Sequence, residues 1–358
     1  MPTKLLVGAK SLINNSFLLK EYGKKALIVT GKYSSKVNGS LEDVIESLEK
    51  EDIKYTIFDS VEENPSTETV FNAYNENKEK DIDFIVAIGG GSPLDAAKAI
   101  GILFKNDIEI EDITKIPNLK SIPIVAIPTT AGTGSEATPY SILTFHDQKL
   151  KKNIGQKVFP KLAILDARYM INMPHSVTSS TALDAFTHLT EGYLNTNASI
   201  LSDTLAEKGL ELFGEILPKL IEREYDISDR EKMLLMSTLA GMVISQTGTS
   251  LPHAMGYSLT YENGLPHGTA NIILYPGYLS IFKDKTKLKK LLSLIQVSSI
   301  EELAEKINKI LDFEINLSKE EIERYTDVVF DNKGKLKNHP EVVTRDDIKH
   351  IYETMLTK

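Results

Sequence analysis

The chain has 358 residues, a formal net charge of −9 and no cysteine. An acidic balance argues against a nucleic-acid partner, and the lack of thiols removes thiolate from any metal site and fits a reducing compartment. The length calls for two domains, each able to bury its own core.

The opening segment MPTKLLVGAK lacks a long apolar core and a small-residue cleavage site. No run of about 18 apolar residues follows anywhere. A cytoplasmic location without a membrane partner is therefore expected. Apolar strand-like runs then appear at ALIVT (26–30), YTIFD (55–59), DFIVAIGG (83–90), IPIVAIP (122–128) and LAILD (162–166). Charged amphipathic stretches such as SLEDVIESLEK and STETVFNAYNENKEK separate them. β-rich runs alternating with helical ones predict βαβ units and a mostly parallel sheet. Past Pro174 the pattern changes. Residues 202–220, 229–245 and 287–313 read as mainly helical, with no comparable strand candidates. The fold expected is an α/β N-terminal dinucleotide-binding domain over 1–175 and an all-α C-terminal metal and substrate domain over 176–358. The boundary lies near NMPHSVTSSTALDAF, where Pro174 breaks the pattern and the Ser/Thr cluster is expected to cap the next helix.

Two of the strand-like runs end in Gly-rich turns. In VAIGGGSPLDAAKAI, Gly89, Gly90, Gly91 and Ser92 lead into a helix whose N-terminus favours an anion. In VAIPTTAGTGSEATPYS, Thr129, Thr130, Thr133 and Ser135 offer hydroxyls around Gly132 and Gly134. Neither turn fits G-x-G-x-x-G or the P-loop. Either one alone could be an ordinary strand-to-helix connection. Two in one α/β half point to a phosphorylated ligand at the carboxyl ends of the strands.

Four residues in the second half carry metal-ligand chemistry. Asp184 and His188, in ALDAFTHLTEGY, have the i, i+4 spacing that puts both side chains on one helix face. His253 and His267, in LPHAMGYSLTYENGLPHGTAN, flank a short Asn-Gly turn. Three imidazoles and a carboxylate suit Fe(II) or Zn(II) better than Mg or Ca. An isolated Asp/His pair at this spacing would be an ordinary helix hydrogen bond; the rest of the chain tips the balance.

Taken in order, KKALIVTGKYSSK, GGGSPLDAAKAI, PTTAGTGSEATPYSILT, DAFTHLTEGY and HAMGYSLTYENGLPHG resemble the segments of the iron-containing alcohol dehydrogenase family. That is the metal-dependent group of the dehydroquinate synthase-like superfamily, and the butanol and 1,3-propanediol dehydrogenase branch is the nearest in pattern. The resemblance runs over nearly the whole chain. It implies a metal held by Asp184, His188, His253 and His267. It implies a pyrophosphate loop at Gly90, Gly91 and Ser92, a second cofactor loop at Thr129, Thr130 and Thr133, and cofactor contacts at Asn64 and Lys152. It further implies hydride transfer between NAD(P)(H), lying in a cleft between the domains, and a short primary alcohol, diol or aldehyde. Fe(II), with Zn(II) as the alternative, would serve as Lewis acid. A homodimer is compatible with this reading.

Three departures from the family pattern stand out. Ala182 replaces a frequent glycine ahead of the ligand aspartate, a change a helix accepts readily. Tyr257 stands where many members carry a histidine near the nicotinamide. A phenol, with an ordinary pKa near ~10, is a poorer base than imidazole at neutral pH. No catalytic side chain beyond the metal ligands is therefore assigned. Gly31 stands where NAD-preferring members often place a ribose-binding aspartate, and Lys32, Ser34, Ser35 and Lys36 follow. The missing carboxylate and the nearby donors suit a 2′-phosphate, so NADP(H) is expected over NAD(H). Glu191, three residues past His188, is expected to orient the His188 imidazole or else to be a solvated helix charge. The competing functions are a glycerol-dehydrogenase-like zinc polyol enzyme, a dehydroquinate synthase and a non-catalytic nucleotide-binding protein. The full set of four ligands weighs against each.

Overall fold

The computed structural model describes residues 2–106, 108–148 and 150–357. Contacts divide it into two compact units, one of residues 1–130 and 134–172, the other of 131–133 and 173–358.

In the first unit the strands are β1 (Lys4–Val7), β2 (Lys25–Gly31), β3 (Lys54–Val61), β4 (Phe84–Gly89), β5 (Ile124–Pro128), β6 (Ile142–Phe145), β7 (Leu150–Asn153) and β8 (Leu162–Leu165). Six of them form one sheet in the order β1-β8-β5-β4-β2-β3, and every pairing is parallel. β6 and β7 make a separate antiparallel hairpin. The five strand-like runs of the sequence are all strands. β4 and β5 are buried along their whole length, as strands covered on both faces must be. The alternation along β2 and β4 sends Leu27, Val29, Ile85 and Ala87 into one apolar core and Ala26, Ile28, Val86 and Ile88 into the other. Sequence reading passed over β1 and the hairpin. The four residues KLLV are too short to show a period, and LKKN carries an exposed, charged pattern.

Helices α1 (Ser40–Lys50), α2 (Thr67–Asn75) and α3 (Gly91–Asn106) belong to this unit. Ser66 caps α2 by accepting from the Thr69 N–H. α3 starts directly at the first Gly-rich turn and carries a fully buried lysine, Lys98. Its ammonium donates to the Ser135 carbonyl and hydroxyl, at 2.9 and 2.6 Å, and to the Tyr140 carbonyl, at 2.6 Å. Asp95, one turn earlier, accepts from the Ser135 hydroxyl at 2.6 Å and the Ile142 N–H at 3.0 Å. α3 thus holds the segment that follows the second Gly-rich turn.

The second unit is helical, and among the described residues no strand follows Leu165. Its main helices are α4 (His175–Tyr193), α5 (Ile200–Glu222), α6 (Ile227–Thr247), α7 (Leu251–Asn263) and α8 (His267–Ile272). Shorter helices complete it. The stretch expected to be helical over 287–313 is two helices, Thr286–Leu294 and Ile300–Ile310. The chain turns between them, and Ser299 accepts from the Glu302 N–H to start the second. α5 and α6 each begin with a reciprocal capping box, Ser199 with Ser202 and Asp226 with Asp229.

α4 begins differently from expectation. Its N-cap is Pro174, with no side-chain capping bond. The Ser/Thr cluster lies inside the helix, where Thr178 Oγ1 donates back to the Pro174 carbonyl and Thr181 Oγ1 to the Val177 carbonyl, at 2.9 and 2.8 Å. α4 is buried on nearly every side over its last three turns, and Phe186 stacks on Phe213 of α5 at 4.1 Å between ring centroids. Among the described residues no helix is long and apolar enough to cross a membrane.

Candidate metal centre and cofactor loops

α4 presents Asp184 and His188 from one face, and both are buried. His253 enters from the first turn of α7 and His267 from the first residue of α8. Close backbone approach brings these helices together. A Cβ on Gly268 would stand 1.9 Å from the Ser180 carbonyl of α4, and one on Gly256 would stand 2.0 Å from Asn271 Oδ1. Any larger residue at 268 would clash with backbone, and one at 256 would displace the Asn271 side chain.

The resulting cluster is compact. Ligand atoms of Asp184, His188 and His253 all lie within 4.8 Å of one another. His253 Nε2 is 3.7 Å from Asp184 Oδ1, and His188 Nδ1 is 3.9 Å from Asp184 Oδ2. His267, with 27% of its side chain exposed, is not one of that tight trio, yet its Nε2 lies 4.0 Å from Asp184 Oδ1. The rings of His188 and His253 are 4.4 Å apart and those of His253 and His267 are 5.4 Å apart.

The hydrogen-bonding pattern shows what this pocket suits. His253 Nε2 and His188 Nδ1 are buried without a hydrogen-bond partner. Buried nitrogens left unmatched beside a carboxylate are costly in a purely structural cluster. They fit a divalent cation, and the N/O donor set fits iron or zinc. Glu191, fully buried, grips the other side of the His253 ring, with Oε1 2.5 Å from Nδ1. Its Oε2 accepts the Ser250 N–H at 2.5 Å. The carboxylate expected to orient His188 therefore orients His253. Helical spacing shows which face Glu191 leaves from and is silent about which neighbouring helix meets that face.

Charge follows this geometry. Burial works against an ionised Asp184, but the surrounding imidazoles outweigh it and hold its carboxyl well below the usual range. Burial presses His188 down to about 4. Burial also opposes a charged His253, but Glu191 and Asp184 prevail and push it up to about 9.

Asn271 was not anticipated. It is fully buried, and its amide donates to Asp184 Oδ1 and meets His267 Nε2, each at 3.3 Å. The i, i+4 spacing from His267 was the available signal. Tyr257 lies face-on to His267, with ring centroids 5.8 Å apart and planes 23° from parallel.

The expected cofactor residues of the first unit gather at strand ends. Gly90 and Gly91 follow β4, and Thr129 and Thr130 follow β5, its hydrogen-bonded neighbour. A Cβ on Gly90 would lie 2.9 Å from Thr130 Oγ1, so the two loops touch. Ser92 Oγ accepts the Asn64 N–H at 3.1 Å, which joins the turn after β3 to the same group. Asn64 itself has a left-handed backbone, with φ 56°. The lysine beside it is Lys151, whose Nζ donates to Asn64 Oδ1 at 2.6 Å. Lys152 leaves the opposite face of β7, donates to Gln148 Oε1 at 2.7 Å and stands over the Phe145 ring. Gly31 ends β2, which lies between β4 and β3, with Thr30 paired to Ile88 and Gly31 to Val61; Lys32 follows it and Ser34 starts a short helix, Ser34–Val37. Thr133 is counted with the second unit.

Known proteins are similar to this chain along most of its length. Residues 2–167 match the family described as iron-containing alcohol dehydrogenase. Residues 178–356 match its C-terminal counterpart, the Fe-containing alcohol dehydrogenase family C-terminal region. An NADPH-dependent butanol dehydrogenase of Clostridium saccharobutylicum is 30% identical over 357 residues, covering 92% of this chain and 91% of the relative. An NAD-dependent methanol dehydrogenase of Bacillus methanolicus is 32% identical over 280 residues, covering 77% and 73%. The crystal structure of an iron-containing alcohol dehydrogenase from Thermotoga maritima superposes with a TM-score of 0.90 at 40% identity, covering 99% of this chain and 98% of that one. Sheet order, helical second unit, buried histidine–aspartate cluster and these likenesses agree, and the chain belongs to the iron-containing alcohol dehydrogenase family.

Proposed function

We propose that this enzyme interconverts short primary alcohols or diols and their aldehydes, with NADP(H) preferred over NAD(H) and one divalent iron held by Asp184, His188, His253 and His267. The observation that carries the reading is the buried cluster with the unpartnered His253 Nε2 beside the Asp184 carboxylate. When bound there, the metal supplies a Lewis acid that polarises the alcohol or aldehyde oxygen. The protein's own part is placement. Glu191 holds the His253 ring through Nδ1, and Asn271 holds Asp184 and His267 in register. The loops at Gly90, Gly91, Ser92, Thr129 and Thr130, with Asn64, offer N–H and hydroxyl donors to a dinucleotide, and Thr133 is assigned to the same cofactor. Lys151 and Lys152 are both candidates for a cofactor contact, on opposite faces of β7. The redox chemistry belongs to the nicotinamide.

The preference for NADP(H) rests on Gly31, Lys32 and Ser34. The two relatives named above divide between the cofactors, so family membership leaves the choice open. Tyr257 presents a ring face to His267, and no proton-transfer role is assigned to it.

The test is a panel of short aldehydes and alcohols with both cofactors, using anaerobically prepared, iron-loaded protein. Metal content is measured in wild type and in His267→Ala. Reduction of short aldehydes with NADPH, and loss of metal and activity in a folded variant, are expected. Full activity and normal metal content in His267→Ala would remove that residue from the ligand set, and higher kcat/KM with NADH would overturn the cofactor preference.

A further inference from the structure

The turn between α6 and α7, residues 247–250, sits directly behind the metal cluster. Its last residue gives the N–H that holds Glu191, which in turn holds His253. Gly248 has a positive φ of 73° with ψ 179°, a conformation open essentially to glycine alone. A turn of that kind persists only when its surroundings over-determine it. Two distant stretches of the second unit do so.

One stretch is 195–197. Asn195 Nδ2 donates to the Gly248 carbonyl at 3.4 Å and Asn197 Nδ2 to the Thr247 carbonyl at 3.2 Å. The other is 335–338, more than 80 residues further along the chain. Lys335 Nζ donates to the Thr249 hydroxyl, and Asn338 Nδ2 donates to the Thr249 carbonyl at 2.8 Å. The Thr196 N–H donates to the Asn338 carbonyl at 2.9 Å, tying the two stretches together. Asn338 also fills the space over Gly248, where a Cβ would lie 3.3 Å from its Nδ2. Burial presses the Lys335 pKa down, and the Glu191 charge opposes that, so the ammonium lies within reach of the field of the carboxylate behind His253.

We propose that Lys335 and Asn338 are positioning residues for the metal centre, acting through Thr249 to keep the Ser250 N–H on Glu191 and thereby to set the His253 ring with Nε2 toward Asp184. Neither residue is a ligand. Each bonds a backbone or hydroxyl group of the turn, which leads through the Ser250 N–H and Glu191 to the ring. The inference rests on the proposed metal site and extends it by one layer.

The experiment titrates metal-free protein with Co(II) against a competing chelator and records the cobalt absorption bands. The variants are Lys335→Met, Asn338→Ala and Thr249→Val. Each should weaken Co(II) affinity by about 10- to 100-fold, the usual range for losing support behind a ligand, and should shift the bands. Lys335→Arg, which can still reach the hydroxyl, should retain most of the affinity. The Lys335→Met/Asn338→Ala double variant should lose little more than the worse single one, because both act through one turn. Circular dichroism and melting of the metal-free variants should match wild type. Thr249→Val, nearly unchanged in volume, carries the test should Lys335→Met fail to fold. Folded variants that bind Co(II) as tightly as wild type, with unchanged bands, would overturn the proposal. His253→Ala separates the two levels. If it retains Co(II) binding, the metal site itself is wrongly assigned. If it loses binding while the other variants keep it, only the positioning role fails.

Discussion

At the scale of single residues, the cluster is pre-set for a cation but carries a proton in its place. Without metal at pH 7, Asp184 is ionised and His188 neutral, while His253, at about 9, is charged. Its Nδ1–H is held by Glu191, so the proton that must leave is the one on Nε2. Metal uptake at pH 7 should therefore release about one proton, and apparent affinity should rise close to tenfold per pH unit until about pH 9. Calorimetric titration of Zn(II) in two buffers of different ionisation enthalpy measures the release, and a count near zero would refute this picture. The sign for stability follows. The raised His253 pKa stabilises the metal-free fold fully below the ordinary histidine value, and that contribution is lost as pH rises through about 9. Tyr257 is the second residue of interest. Its ring stacks on His267, and Phe keeps that contact. Tyr257→Phe should retain most kcat/KM, well short of the ~100-fold loss expected on removing a true acid or base. A collapse with metal content intact would give the hydroxyl a direct part. The proposed ligand types and their spacing were legible in the sequence, because i, i+4 pairs and Gly-flanked histidines are local patterns. Asn271 and the true target of Glu191 were not, because they depend on which helix meets α4.

At the scale of elements, the end of β2 combines two demands on Gly31. Its register against β3 shifts between Val29 and Gly31, and a Cβ there would lie 3.3 Å from the Val61 carbonyl. Glycine suits that close approach, and in the proposed NADP(H) preference its missing carboxylate also leaves room for a 2′-phosphate. Two substitutions separate these roles. Gly31→Ala should lower the melting temperature slightly and leave cofactor preference unchanged. Gly31→Asp should bear the same crowding and lower kcat/KM for NADPH by tenfold or more relative to NADH, since like charges face each other. Equal shifts in both variants would mean that crowding, not charge, acts at this position. The strands that cross the core announced themselves through continuous apolar runs, and their length separated them from helices. The β6–β7 hairpin did not, because each strand is only four residues long and β7 is lysine-rich and at best half-buried. The start of α4 was misread for a related reason. Ser and Thr cap helices, but within a helix they can also donate back to the preceding turn, and local sequence does not choose between the two.

Across the whole molecule, the sequence by itself determined the class of each unit and the chemistry available. A run of β-rich segments spaced by amphipathic helices leads to a parallel sheet, since parallel strands need long crossovers and helices supply most of them. A later stretch with no strand periodicity leads to a helical unit. Residue types set the donor set, because imidazole and carboxylate without thiolate select borderline divalent metals. Only the tertiary structure decided who meets whom. Asp184 and Asn271, 87 positions apart, become hydrogen-bonded neighbours where Gly268 lets α8 and α4 touch. Glu191 is committed to His253, Lys151 to Asn64, and Lys335 to Thr249, by helix and strand packing that no local period encodes. Side-chain spacing gives the face a residue leaves from. The partner awaiting it is set by close packing between elements, which is a property of the folded chain as a whole.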